Sequence, residues 1–176
     1  PLTVSEVESN NVIKVYYVKD NFNYTVEYYY DGSIDSVKTE TIEATYGDVI
    51  SAYTDKNITG YKLDHTEGLP LLITEVAENN VIKVYYVKDN FGYTVEYYYD
   101  GTKDDDKTET GTAEYQSQVT TYTDKNITGY KLDHTEGLPL TITEVPANNV
   151  IKVYYVKDNF GYTVEYYYDG TKDDEK

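Results

Sequence analysis

The sequence predicts a mostly-β protein made of tandem copies of one short module, with little or no helix. Three observations carry this expectation: a 69-residue internal period, short runs rich in β-branched and aromatic residues, and turn dipeptides between those runs.

The period is visible by eye. Phe22, Phe91 and Phe160 stand 69 residues apart, as do Gly32, Gly101 and Gly170, and His65 and His134 keep the same offset. Residues 21–89 align with 90–158 without a gap and are identical at 52 of 69 positions; 13 of the 17 differences fall between residues 33 and 52. Residues 1–20 resemble the close of a unit (70–89), and residues 159–176 match the opening of one (90–107). The expected organisation is therefore a partial unit at 1–20, complete units at 21–89 and 90–158, and a partial unit at 159–176, as in a piece excised from a longer array.

Within a unit, Val81–Val87 (VIKVYYV) and Tyr93–Tyr99 (YTVEYYY) read as strands; in the second, Tyr93, Val95, Tyr97 and Tyr99 share a face opposite Thr94, Glu96 and Tyr98. Leu71–Val76 reads as another strand, and Lys38–Tyr46 and Lys107–Tyr115 as longer, more exposed ones. Asp31-Gly32, Thr59-Gly60, Gly68-Leu-Pro70 and Asn79-Asn80 are turn signals. Asp48–Lys56 is the one stretch with helical potential, but its partner Ser117–Lys125 carries Val119, Thr120, Thr121 and Tyr122, so an extended segment or a single helical turn is expected. Only residues 88–92 join one unit to the next, with no Gly/Ser or Pro-rich linker, which predicts a stiff, elongated rod.

Composition narrows function. With 15 lysines, no arginine and 32 acidic residues, the net charge of -17 repels phosphate backbones and anionic bilayers, so neither nucleic acid nor membrane insertion is expected. No apolar run reaches 18 residues, and the opening Pro-Leu-Thr-Val-Ser-Glu lacks the basic and apolar regions of a signal peptide. Cys, Met and Trp are absent, which removes disulfide and thiolate chemistry, while Tyr reaches 24 residues. Tyrosine suits thin cores because it joins a large ring to a tip that can stay wet.

At Tyr24–Tyr29 (YTVEYY), Gly60–Leu63 (GYKL) and Asn79–Tyr86 (NNVIKVYY), and again one period later, the sequence resembles the MucBP repeats, the mucin-binding-protein modules of Gram-positive surface adhesins. The resemblance implies a β-grasp, ubiquitin-like fold, extracellular display on the cell wall, and adhesion to mucin or other host glycans. In such a fold the first and last strands of a unit are neighbours in mid-sheet. Val12–Val18 and Tyr162–Tyr168 would then be orphan strands, open to head-to-tail self-association between molecules. Zero arginine beside abundant Lys, Asn and Tyr agrees with an AT-rich bacterial genome, and the sequons at Asn23, Asn57 and Asn126 would matter only in a eukaryotic secretory pathway.

Several residue groups can be weighed for chemistry. Tyr28, Tyr29, Tyr97, Tyr98, Tyr166 and Tyr167 are the ligand-contact candidates, because alternate rings of a strand must face away from the core and can stack on sugars. The competing reading is a cross-strand ladder that only stabilises the sheet. The loop with Asp100, Asp104, Asp105 and Asp106 offers four carboxylates to a hard cation such as calcium, although its counterpart at residues 31–37 keeps two and no EF-hand spacing exists. His65, flanked by Asp64 and Glu67, and its copy His134 read as surface histidines in a polar turn rather than metal ligands. Lys83 and Lys152, with Glu96 and Glu165, are candidates for isopeptide chemistry or for plain cross-strand ion pairs. There is no Gly-x-Ser-x-Gly elbow and no Cys, so no catalytic residue and no cofactor is assigned. The functional expectation is a non-catalytic spacer segment of a cell-wall-associated adhesin, with multivalent mucin or glycan binding as the alternative.

Overall fold

Alternation along one strand organises each unit. In β1 (Asn21–Tyr30), Tyr24, Val26 and Tyr28 are buried, while Thr25, Glu27 and Tyr29 take the opposite face. A computed structural model describes residues 1–56, 58–125 and 127–175, which divide into two compact units, 1–88 and 89–176. The sequons at Asn57 and Asn126 lie outside the described residues.

In the first unit β1 turns through Asp31-Gly32 into β2 (Ser33–Ile34). Both turn residues have positive φ, 47° and 78°, which matches the twist of the two-residue hairpin that Asp-Gly favours. β3 (Glu40–Thr45) returns along β1, so this edge of the sheet is antiparallel. Next come β4 (Val49–Ile50), a strap over residues 51–56, β5 (Tyr61–Glu67), β6 (Leu71–Leu72), a 3-10 turn at Ala77–Asn79, and β7 (Val81–Lys88). β7 lies parallel to β1, with Thr25 beside Val81 and Tyr30 beside Tyr86, and β5 pairs antiparallel on its far side. The first and last strands of the unit are thus adjacent in mid-sheet. Ile82, Val84 and Tyr86 complete the inward face and pack with Leu71 and Ile73. The central strands β1 and β7 bury every second side chain because the period of the pleat is two.

The second unit repeats this plan with β8 (Asn90–Tyr99), β9 (Thr102–Glu114), β10 (Gln118–Val119), β11 (Tyr130–Glu136), β12 (Leu140–Thr141) and β13 (Val150–Lys157). β8 and β13 are parallel, from Thr94 beside Val150 to Tyr99 beside Tyr155. Its core is Val95, Tyr97, Leu140, Ile142, Ile151, Val153 and Tyr155. Within the second unit a hairpin of β14 (Tyr166–Tyr168) and β15 (Thr171–Asp173) follows.

Several sequence expectations need correction. The strand expected over 71–76 is only Leu71–Leu72, because the Thr74 backbone N–H goes to the side chain of buried Asn80 instead of a sheet partner. The strand expected from Lys38 begins at Glu40, since Lys38 and Thr39 are held in a turn by Asp35. In the second unit the corresponding strand runs unbroken from Thr102, with one irregularity opposite Val95 and Tyr97. The segments around His65 and His134 are strands β5 and β11, not turns. No α-helix occurs among the described residues; the strap at 51–56 is neither helix nor strand. Val12–Val18, identical in sequence to β7, forms no strand, and its apolar side chains are exposed.

Candidate functional site

The outward face of each sheet carries a row of three stacked rings, one from each of three neighbouring strands. In the first unit Tyr29 of β1 stacks on Tyr85 of β7 at 4.8 Å and 23°, and Tyr85 stacks on His65 of β5 at 4.3 Å and 10°. In the second, Tyr98, Tyr154 and His134 repeat this at 4.8 Å and 4.4 Å. The polar tips are tied down as well. The Tyr29 hydroxyl donates to Glu27 at 2.7 Å, the Tyr85 hydroxyl to Glu67 at 3.1 Å, and His65 Nδ1 sits 2.8 Å from Asp64 Oδ2. The equivalent bonds of Tyr98, Tyr154 and His134 run to Glu96, Glu136 and Asp133. The Glu27 carboxylate accepting its hydrogen bond pushes the Tyr29 phenol up to about 12, and Tyr98 is raised in the same way by Glu96.

This geometry separates the candidate tyrosines. Tyr28 and Tyr97 have no exposure at all and leave the ligand-contact set. Each donates its hydroxyl at 2.7 Å to a strap carbonyl, Thr54 or Thr123, and burial is the main cause of their raised phenol pKa. One residue of register decided this, since odd and even positions of a strand face opposite ways. Tyr29 and Tyr98 do face outward, but with their broad faces turned toward neighbouring rings rather than presented flat to solvent. Tyr166 and Tyr167 lie exposed in the β14–β15 hairpin, Tyr167 bonded to Glu165.

The aspartates proposed for calcium are not brought together. Asp100 sits in the hairpin turn and faces Lys157 at 3.3 Å, Asp104 pairs with Lys107, and Asp105 with Lys103 at 3.2 Å. No group of three or more His, Cys, Asp or Glu side chains among the described residues is arranged to hold a metal ion. Of the isopeptide candidates, Lys152 lies beside Glu96 in the sheet, but Lys83 is beside Glu27, and Glu165 pairs with Lys172. The Lys152 side chain is 41% exposed and lies 3.9 Å from Glu136 on the neighbouring strand, the arrangement of a plain cross-strand ion pair.

Charge distinguishes the units. Lys103 of β9 stands where the first unit has exposed Ile34, and it pairs with Glu96 at 2.9 Å. Hydrogen bonds from Lys103, Lys107 and Lys125 hold Glu96, Asp104 and Glu109 below the usual carboxylate range. A carboxylate with a depressed folded pKa adds stability above its unfolded pKa, near 4, and loses it as pH falls through the folded value. Acidification from neutrality to below pH 4 is therefore expected to weaken the second unit more than its K103I variant. Unit-resolved amide exchange at several pH values reads this, and equal acid sensitivity in the two proteins would refute the pairing.

No known family profile and no curated protein sequence matches the chain. Among solved structures the chain is similar to the type 2 repeat of the mucus binding protein MUB from Lactobacillus reuteri, at 14% identity over 77% of this chain and 99% of that one, with a TM-score of 0.25.

Proposed function

We propose that this chain is a non-catalytic structural segment of an extracellular, cell-wall-associated bacterial adhesin, built of β-grasp-type units that bear tension. The carrying observation is the parallel pairing of each unit's first and last strands. β1 and β7 run in the same direction, so the chain enters a unit at one end of the sheet and leaves at the other. A pull along the chain then shears β1 against β7, and all the hydrogen bonds of that ladder resist at once. A pull that opened the same strands from one end would break them in turn. β8 and β13 repeat the arrangement, and a single residue, Asp89, separates β7 from β8. The ring ladders take their role from this reading: Tyr29 and Tyr98 brace the strands under load, and host mucin or glycan contact is secondary.

Single-molecule pulling tests the proposal, and the lack of native cysteine makes thiol handles unambiguous. Handles at residues 21 and 88 load the ladder in shear; handles at 30 and 88 peel it. The expected result is a clearly higher unfolding force in the first geometry. Equal forces would refute load-bearing. The unpaired segments at 12–18 and 162–165 extend the proposal to head-to-tail pairing between copies. A strictly monomeric sedimentation profile at high protein concentration would exclude it.

A further inference from the structure

Two kinds of stacked tyrosine pair join the first and last strands of each unit. On the outward face Tyr29 and Tyr85, register neighbours on β1 and β7, stand 4.8 Å apart at 23°; Tyr98 and Tyr154 repeat this on β8 and β13 at 4.8 Å and 24°. On the inward face Tyr30 stacks on Tyr86 at 5.3 Å and Tyr99 on Tyr155 at 5.2 Å. The two kinds differ in where a phenol proton can go. Every outward hydroxyl already donates to a carboxylate: Tyr29 to Glu27 at 2.7 Å, Tyr85 to Glu67 at 3.1 Å, Tyr98 to Glu96 at 2.8 Å and Tyr154 to Glu136 at 3.1 Å. In the inward pairs the Tyr30 and Tyr99 hydroxyls are buried with no acceptor among the described residues, and Tyr86 and Tyr155 are 4% and 3% exposed. Composition also directs oxidation to tyrosine. Cys and Met, the side chains ordinarily oxidised first, are absent, as is Trp, while Tyr numbers 24.

We propose that Tyr29 with Tyr85, and Tyr98 with Tyr154, are sites of oxidative coupling, each pair forming a dityrosine that joins the two central strands of its unit. The co-reactant is a peroxide delivered as a one-electron oxidant by a haem peroxidase. Each phenol gives one electron to the oxidant and its hydroxyl proton to its carboxylate, leaving a neutral phenoxyl radical. The two radicals combine through one Cε of each ring, and the hydrogens on those carbons then move to the oxygens, restoring two phenols. One peroxide accepts two electrons and two protons and becomes two waters, so the protein loses two hydrogens per link. Because the rings are stacked and the strands in register, the link asks for ring rotation about Cβ–Cγ, a soft torsion in tyrosine, and not for movement of the strands. His65 and His134 cover the other faces of Tyr85 and Tyr154, which leaves each radical facing its partner. The inference goes beyond load-bearing and does not rest on it: coupling is read by mass, and the pulling experiment can fail while coupling occurs, and the reverse.

The test treats the whole chain, at low concentration, with hydrogen peroxide and a haem peroxidase, and maps cross-linked peptides in the monomeric fraction by mass spectrometry. Exposed Tyr16, Tyr17 and Tyr162 couple between molecules, and size separation removes those products. Links are expected between Tyr29 and Tyr85 and between Tyr98 and Tyr154, each two hydrogens lighter than the uncoupled peptides, with little or none between Tyr30 and Tyr86 or between Tyr99 and Tyr155. Tyr29→Phe should abolish the first link and leave the second, and Tyr98→Phe the reverse. Glu27→Gln keeps the ring pair but weakens its proton acceptor, so the first link should form more slowly than the second. Monomer without either outward link, inward links in equal yield, or equal rates for the two outward links in Glu27→Gln would overturn the inference.

Discussion

Tyr28→Ala leaves the first unit largely unfolded at 37 °C while the second remains folded. Tyr28 has no solvent exposure, touches the core formed by Val26, Val84 and Tyr86, and anchors the strap through its hydroxyl on the Thr54 carbonyl. Truncating a buried aromatic to Ala costs about 3–5 kcal/mol, since transfer and cavity terms add. A 69-residue unit holds roughly 3–10 kcal/mol in total, at about 0.05–0.15 kcal/mol per residue. The substitution therefore removes much or all of its stability. Tyr28→Phe keeps the ring and loses only the hydroxyl bond, for about 1–2 kcal/mol. Amide exchange at Ile82 and Val84, compared with Ile151 and Val153, separates the two units in one sample. A surface tyrosine would give a change within about 0.5 kcal/mol, and that outcome would return Tyr28 to the ligand-contact candidates.

Asn80→Ala is expected to cost about 3 kcal/mol, while Asn79→Ala, one residue earlier, stays within about 0.5 kcal/mol. Asn80 is 1% exposed and uses its whole amide. Its oxygen accepts from the Thr74 N–H (2.9 Å) and hydroxyl (3.0 Å), and its nitrogen donates to the carbonyls of Thr74 (2.7 Å) and Asn23 (3.3 Å). The last bond ties the start of β7 to the start of β1, at one end of the ladder that takes the load. Asn149 repeats the set with Thr143 and Gly92. Asn11 makes the matching local bonds to Ser5 at 2.8 Å and 2.9 Å where no sheet surrounds it, so the loop motif forms from local sequence. Denaturant unfolding of both variants, with Asn80→Asp as the change that retains the acceptors and loses the donors, measures the difference. Equal effects at 79 and 80 would refute the assignment.

Much of the fold was legible in local pattern. The strands over Val81–Val87 and Tyr93–Tyr99, the alternation along the second and the Asp-Gly turns each depend on neighbours in sequence, and each appears where expected. β5 was missed because Tyr61–Glu67 shows no regular alternation: on this edge strand Tyr61 packs against the core while Lys62, Leu63, Asp64 and His65 are all exposed. That omission hid the site, because His65 completes a ring row only when β5 lies beside β7.

The sequence by itself determined the module, its repetition, and which residue types would line strands and turns, because pleat, turn and propensity act within a few residues. Tertiary structure alone decided which tyrosines are core and which are ladder, and that the neighbouring first and last strands run parallel. Those outcomes depend on register between strands more than 50 residues apart, which no local pattern encodes.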